Sequence, residues 1–200
     1  MSFVLHFMNY FQKIKLKRLQ KRLHKLLSLY EQEGLDSHVK SLTQGFYAMA
    51  GLYERHRFDK HVPNAEFYAL ECYRVLASYG DVKAQYLLGE RLLNYGKFWE
   101  SLSQNSLYKT NRPKAYAQSF FDESLVYLQA ADEQSYPLAR RLLGMIYIHA
   151  WGRPSDLQKG YQLILESIDL EQAWGRATQI FDTLKLNSPE FFAALRVYKG

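Results

Sequence analysis

Four groups of residues in this chain have types and spacings that could do chemistry. His56-Arg-Phe-Asp-Lys-His61 sets two imidazoles and the Asp59 carboxylate in one short stretch. These are zinc-ligand types, and a further ligand from elsewhere would complete a site; surface histidines beside a helix end are the simpler reading. Cys72 is the only cysteine, so no intramolecular disulfide forms. It lies within Leu70-Glu-Cys-Tyr-Arg-Val75, a helical pattern in which a small buried thiol is expected. Asp122 and Glu123 are adjacent, and neighbours on a helix do not face each other, which makes them a poor acid–base pair. His149, just ahead of Trp151-Gly152, fits a satisfied turn. No glycine-rich phosphate loop, HExxH, nucleophile elbow or paired-cysteine site occurs. The expectation is a non-enzyme with no catalytic residues, no metal and no cofactor.

The elements that would position these residues are helical. Two hundred residues, 48% hydrophobic and 16% aromatic, supply an ample core for one domain or a short repeat array. Folding at this size buries roughly 70% of the unfolded surface. No segment approaches the run of about 18 apolar residues that spans a bilayer. Met1 to Phe11 is apolar, but the basic cluster follows it where a signal peptide would put it first. A cytoplasmic protein is expected, with a peripheral place at the inner membrane or export by a specialised route left open.

Proline placement sets the helix starts, because proline fits the first turn and breaks an interior. Pro63, Pro113, Pro137, Pro154 and Pro189 can each open a helical pattern, with Ser188 as the cap ahead of Pro189. Strand-like alternation is missing. The pattern predicts helices near 38–56, 64–79, 82–96, 113–133, 137–150, 155–169, 171–184 and 188–198, paired in that order as hairpins. Gly96 and Gly152 read as stops. Lys97 to Arg112 then reads as a polar insertion.

Internal repetition sharpens this picture. At an offset of 55, Ala84/Ala139, Leu87/Leu142, Leu88/Leu143 and Gly89/Gly144 are identical. Glycine inside a helix costs about 1 kcal/mol relative to alanine, so a matched pair calls for a common cause. Close approach of a neighbouring helix is that cause, with Ala84, Ala131 and Ala139 serving the same crossing. Stacked units of this kind build extended binding surfaces.

Ala130-Ala-Asp-Glu-Gln-Ser-Tyr-Pro-Leu-Ala139, Leu142-Leu-Gly-Met-Ile-Tyr147, Gly152 and Asp156 together resemble a Sel-one-like repeat. That family belongs to the tetratricopeptide-type helical-hairpin solenoids. Val75-Leu-Ala-Ser-Tyr-Gly80 leading into Ala84–Gly96 fits the same frame and supplies the glycine that Ser135 replaces. The likeness is clearest over 75–170 and departs at the 97–112 insertion and at both ends. It implies an all-α, right-handed α-solenoid of about four hairpins, and a scaffold or adaptor in a bacterial complex, as subunit or assembly factor. In such arrays the first helix of each hairpin lines the inner face, so the resemblance nominates Gln85, Arg91, Arg140 and Arg141 as contacts to a protein or peptide. Phe98 and Trp99, at the start of the insertion, join them because aromatics dominate interface hot spots; Trp99 also suits a cover for the hairpin end.

The organisation expected is a basic amphipathic helix over 1–34 and a repeat domain over 35–200. Residues 1–30 hold Lys13, Lys15, Lys17, Arg18, Lys21, Arg22 and Lys25 and no acidic residue. Leu16, Leu19, Leu23, Leu26 and Tyr30 form one helical seam, and Phe3, Phe7, Phe11 and Ile14 continue an apolar side. Docking on the repeat body, packing into an acidic partner protein, and lying on an anionic membrane all fit this pattern. Nucleic acid fits less well, since no helix-turn-helix or aromatic RNA platform is evident. The runner-up to the adaptor is a peripheral membrane or secretion-system component, or an exported effector, anchored by this helix.

Overall fold

The computed structural model describes residues 14–22, 24, 25, 28, 39–59, 62, 64–104 and 111–200. Met1–Phe11, Lys13, Leu23, Leu26, Tyr30, Lys60, His61, Pro63 and 105–110 lie outside them. The described residues are all helical with no strand. They fall into two compact units, 1–80 and 81–200.

Unit 1 contains a helical stretch over 14–22, α1, and a hairpin of α2 (Val39–Arg55) and α3 (Ala65–Ser78). Its core is formed by Leu42, Phe46, Met49, Ala50, Leu52 and Tyr53 of α2 against Ala65, Ala69, Leu70, Cys72, Tyr73 and Leu76 of α3. Leu16 and Leu19 of α1 are half-buried, and Gln20 Nε2 donates to the Tyr53 hydroxyl at 2.8 Å.

Unit 2 holds α4 (Val82–Ser103), α5 (Arg112–Glu133), α6 (Pro137–His149), α7 (Leu157–Leu170), a 3₁₀ turn at Trp174–Arg176, α8 (Ala177–Leu184) and α9 (Pro189–Lys199). The starts are locally specified. Asp81 accepts from Ala84 N at 2.8 Å, Asp156 from Lys159 N at 3.0 Å and Ser188 from Phe191 N at 3.2 Å. Pro113, Pro137 and Pro189 each sit in a first turn. Pro154 does not: it precedes α7 in the turn, and the Asp156 side chain takes over the start.

The glycine crossings are as expected from the repeat. Helix α4 pairs with α5 and α6 with α7, and α5 packs on α6. A Cβ on Gly89 would fall 2.6 Å from Leu128 Cγ and 3.2 Å from the Ser124 carbonyl; one on Gly144 would fall 2.7 Å from Ile164 Cγ1 and 2.7 Å from the Gly160 carbonyl. Ser124 and Gly160 are 36 apart in sequence, as are Leu128 and Ile164. The two hairpins therefore cross at equivalent places. Ser124 Oγ donates to the Gly89 carbonyl at 2.7 Å in the interior, and Ala84, Ala131 and Ala139 are fully buried. The turns repeat as well, with Gly80 at φ 79° and Ser135, 55 positions on, at φ 58°.

Three further sequence expectations need correction. Gly96 does not stop α4; the helix continues through Lys97–Ser103, so the first half of the expected insertion is helical. Gly96 is instead a close-approach position, where a Cβ would fall 2.5 Å from the Phe121 ring. Residues 171–184 are not one helix, because Gln172 at φ 52° and the 3₁₀ turn delay α8 to Ala177. Helix α9 lies along α7 and meets α8 through the Phe181–Phe191 ring contact at 4.8 Å, which differs from the expected α8–α9 hairpin. Phe191 is fully buried in that core with Tyr161, Ile164 and Ile168.

Candidate functional site

The first helices α4 and α6 carry the nominated polar residues, and the fold occupies most of them internally. Gln85 is 7% exposed and accepts from Gln134 Nε2 at 2.8 Å. Arg140 donates to Asp132 at 2.6 Å and reaches Glu166 at 3.5 Å, tying α6 to the end of α5 and to α7. Arg141 donates to Ser167 Oγ at 3.2 Å and pairs with Glu171. These side chains brace the hairpins. Arg91 is half-exposed on α4 and also makes intramolecular contacts. Unit 2 thus leaves little of the expected polar inner face open to a ligand.

The aromatic pair divides. Trp99 packs against the core and against Tyr116 of α5, with ring centroids 5.0 Å apart, so it does cover the hairpin end. Phe98 sits edge-on to Trp99 at 5.9 Å and remains 55% exposed; Tyr116 is 51% exposed. The Tyr95 and Phe120 rings meet in a tilted contact at 5.5 Å. Extension of α4 past Gly96 places Phe98 and Trp99 on a rigid helix, where a loop was expected. Tyr116 was missed: its identity gives no signal, and only the α4–α5 pairing sets it beside Trp99.

Unit 2 carries two concavities. A polar cleft of about 510 Å³ lies where the end of α4 and the start of α5 meet the α6–α7 turn, with Glu100, Lys114, Gln118 and Arg153 around it. Beside it, Lys97 Nζ stands 3.2 Å above the Trp151 ring, and His149 stacks on the same indole at 4.7 Å. Burial holds both the Lys97 and His149 values below their ordinary range, and Lys97 lowers His149 further. An apolar groove of about 490 Å³ runs between α7 and α9, with Leu157, Tyr161, Leu165, Ala194 and Val197 in its walls.

His56 Nδ1 lies 3.3 Å from Asp59, and the described residues hold no group of three or more His, Cys, Asp or Glu placed to bind a metal. Burial pushes the Cys72 thiol up to about 12, far from a reactive thiolate. Asp122 is exposed and accepts from Gln118. Lys15, Lys17, Arg18, Lys21 and Arg22 of α1 are exposed, as is Lys25. Among the described residues no helix is long and apolar enough to cross a membrane. No family model matches the chain, and no curated protein is detectably similar to it.

Proposed function

We propose that this chain is a non-enzymatic adaptor whose unit 2 holds a partner protein or peptide. In this reading unit 2 is a short α-solenoid related to the Sel-one-like repeats, and the equivalent Gly89 and Gly144 crossings support it. The observation that carries the functional part is the aromatic surface of Phe98, Trp99 and Tyr116. Two rings are half-exposed on paired helices whose backbones are locked by a glycine contact. Rigid aromatics lose little entropy on binding and furnish most interface hot spots.

Site-specific photo-crosslinking in native cells tests it. A crosslinker replacing Phe98 or Tyr116 is expected to trap one discrete protein, whereas the same group at exposed Glu133 traps none. Phe98→Ser should abolish the adduct formed from Tyr116 while leaving the thermal unfolding curve in place. Equal labelling at all three positions, or turnover of a small molecule that depends on His56 or Cys72, would overturn the adaptor reading.

A further inference from the structure

The polar cleft of unit 2, about 510 Å³, carries charges of both signs in its walls. Glu100 comes from α4, Lys114 from α5 and Arg153 from the α6–α7 turn. None of the three is in an ion pair with a described residue, whereas Arg140, Arg141 and Arg176 of the same unit all are. Arg153 directs one N–H to the Tyr147 hydroxyl at 2.6 Å, and its Nε has no acceptor. The cleft therefore holds two cations and one carboxylate that the fold leaves unspent.

Packing keeps these opposite charges from closing on one another. Gly96 of α4 and Gly152 of the turn both abut Phe121 of α5: a Cβ on Gly96 would fall 2.5 Å from that ring, and one on Gly152 would fall 2.8 Å from it. Gln118 Nε2 also donates to the Gly152 carbonyl at 3.0 Å. One buried ring and one amide thus fix the three walls, and a site built in advance binds without the cost of ordering it. A ligand that bridges such walls must carry both signs of charge. Two carboxylates and one ammonium match them best. A simple anion such as phosphate would meet the Glu100 carboxylate, and like charges brought together oppose binding. A neutral zwitterion would leave one cation unmatched. The volume falls within the range of roughly 300–1,000 Å³ that small-molecule sites occupy.

We infer that this cleft binds an acidic amino acid, its two carboxylates held by Lys114 and Arg153 and its ammonium by Glu100. Phe98, Trp99 and Tyr116 do not line the cleft, and the inference does not depend on the adaptor reading.

Calorimetric titration and thermal shift of the full chain, at constant ionic strength, test it. L-glutamate or L-aspartate should bind with a Kd of about 1 mM or below. L-glutamine lacks the second carboxylate and glutarate lacks the ammonium, so each should bind roughly tenfold or more weakly than L-glutamate. Inorganic phosphate should bind more weakly than L-glutamate as well. Glu100→Gln removes a side chain with no ion-pair partner among the described residues, so its melting should match the wild type. The same change should weaken L-glutamate roughly tenfold or more and strengthen glutarate, because the ammonium loses its partner and the dianion loses a repulsion. Lys114→Gln should bring L-glutamate down to the affinity of L-glutamine for the wild type. Should Glu100→Gln melt early, the wild-type panel of four probes decides by itself. The proposal is overturned if neither acidic amino acid binds at about 10 mM, if L-glutamine, glutarate or phosphate binds as tightly as L-glutamate, or if a normally folded Glu100→Gln protein keeps its affinity.

Discussion

Gly144→Ala isolates the contact that closes the α6–α7 hairpin. The added Cβ would lie 2.7 Å from the Gly160 carbonyl oxygen and 2.7 Å from Ile164 Cγ1, with Ile164 N at 3.3 Å. Two of these three obstacles are backbone, so no rotamer change removes them. Ordinary contact begins near 3.4 Å, and the helices would have to part by roughly 0.7 Å to reach it. That movement loosens Leu143, Ile146, Ile164 and Leu165, all at most 5% exposed. Overpacking of this kind costs about 1–3 kcal/mol, and replacing a mid-helix glycine recovers about 1 kcal/mol. Because two of the obstacles are backbone, the upper part of that range, about 2–3 kcal/mol, applies; the net is destabilisation by about 1–2 kcal/mol, a fall in Tm of roughly 3–10 °C for a unit this size. Thermal and urea unfolding followed by far-ultraviolet circular dichroism measure it, and amide hydrogen exchange assigns the loss to α6 and α7. Gly51→Ala is the control: Gly51 also lies inside a helix, but nothing approaches within 4 Å of its Cβ position. That change should stabilise by about 0.5–1 kcal/mol through propensity alone. If Gly144→Ala melts at or above the wild type, or Gly51→Ala falls by as much, helix propensity governs these glycines and the close-crossing argument fails.

Four further outcomes follow from the same structure. Ser135 holds φ 58°, so Ser135→Gly should stabilise by about 0.5–1 kcal/mol in urea titration, the reverse of the usual effect of adding glycine. Arg141→Ala breaks the bonds to Ser167 and Glu171 and should lower stability by about 1–3 kcal/mol, with crosslinking from Phe98 intact if the arginine is a brace and no contact. His149 has a folded value below 6.5, because of burial first and Lys97 second, so the unfolded chain binds the proton more readily. Its contribution is therefore complete above the unfolded value and is lost as pH falls through the folded one, and His149→Gln should flatten the dependence of Tm between about pH 7 and about pH 5. Cys72, buried and with its thiol near 12, should resist a thiol reagent until the protein unfolds, and rapid labelling of the native chain would contradict that placement.

Much of the helix plan was legible because its signals are local. Asp81, Asp156 and Ser188 each reach an amide three residues ahead, and Pro113, Pro137 and Pro189 need only their own first turn. The paired glycines at 89 and 144 were readable too, since recurrence at one offset separates a packing requirement from chance. Gly96 was misread for the opposite reason. Glycine serves equally as a stop and as a site of close approach, and what decides between them is the Phe121 ring, 25 residues further on. The candidate surface shows the same division. The sequence offered Phe98 and Trp99 as a pair, but which of them faces water depends on Tyr116 arriving from α5 to cover Trp99.

By itself, then, the order of residues determined the all-helical character, most helix ends and the segregation of charge toward the N-terminus, because capping, periodicity and composition act within a few turns of chain. Tertiary structure alone decided that Arg140 and Arg141 are spent on Asp132, Glu166 and Glu171, that α9 lies along α7, and that Phe98 and Tyr116 remain open. The physical reason is distance along the chain. An ion pair or a ring contact between residues 8 to 30 positions apart is fixed by how whole helices cross, and that crossing depends on every side chain in the interface at once.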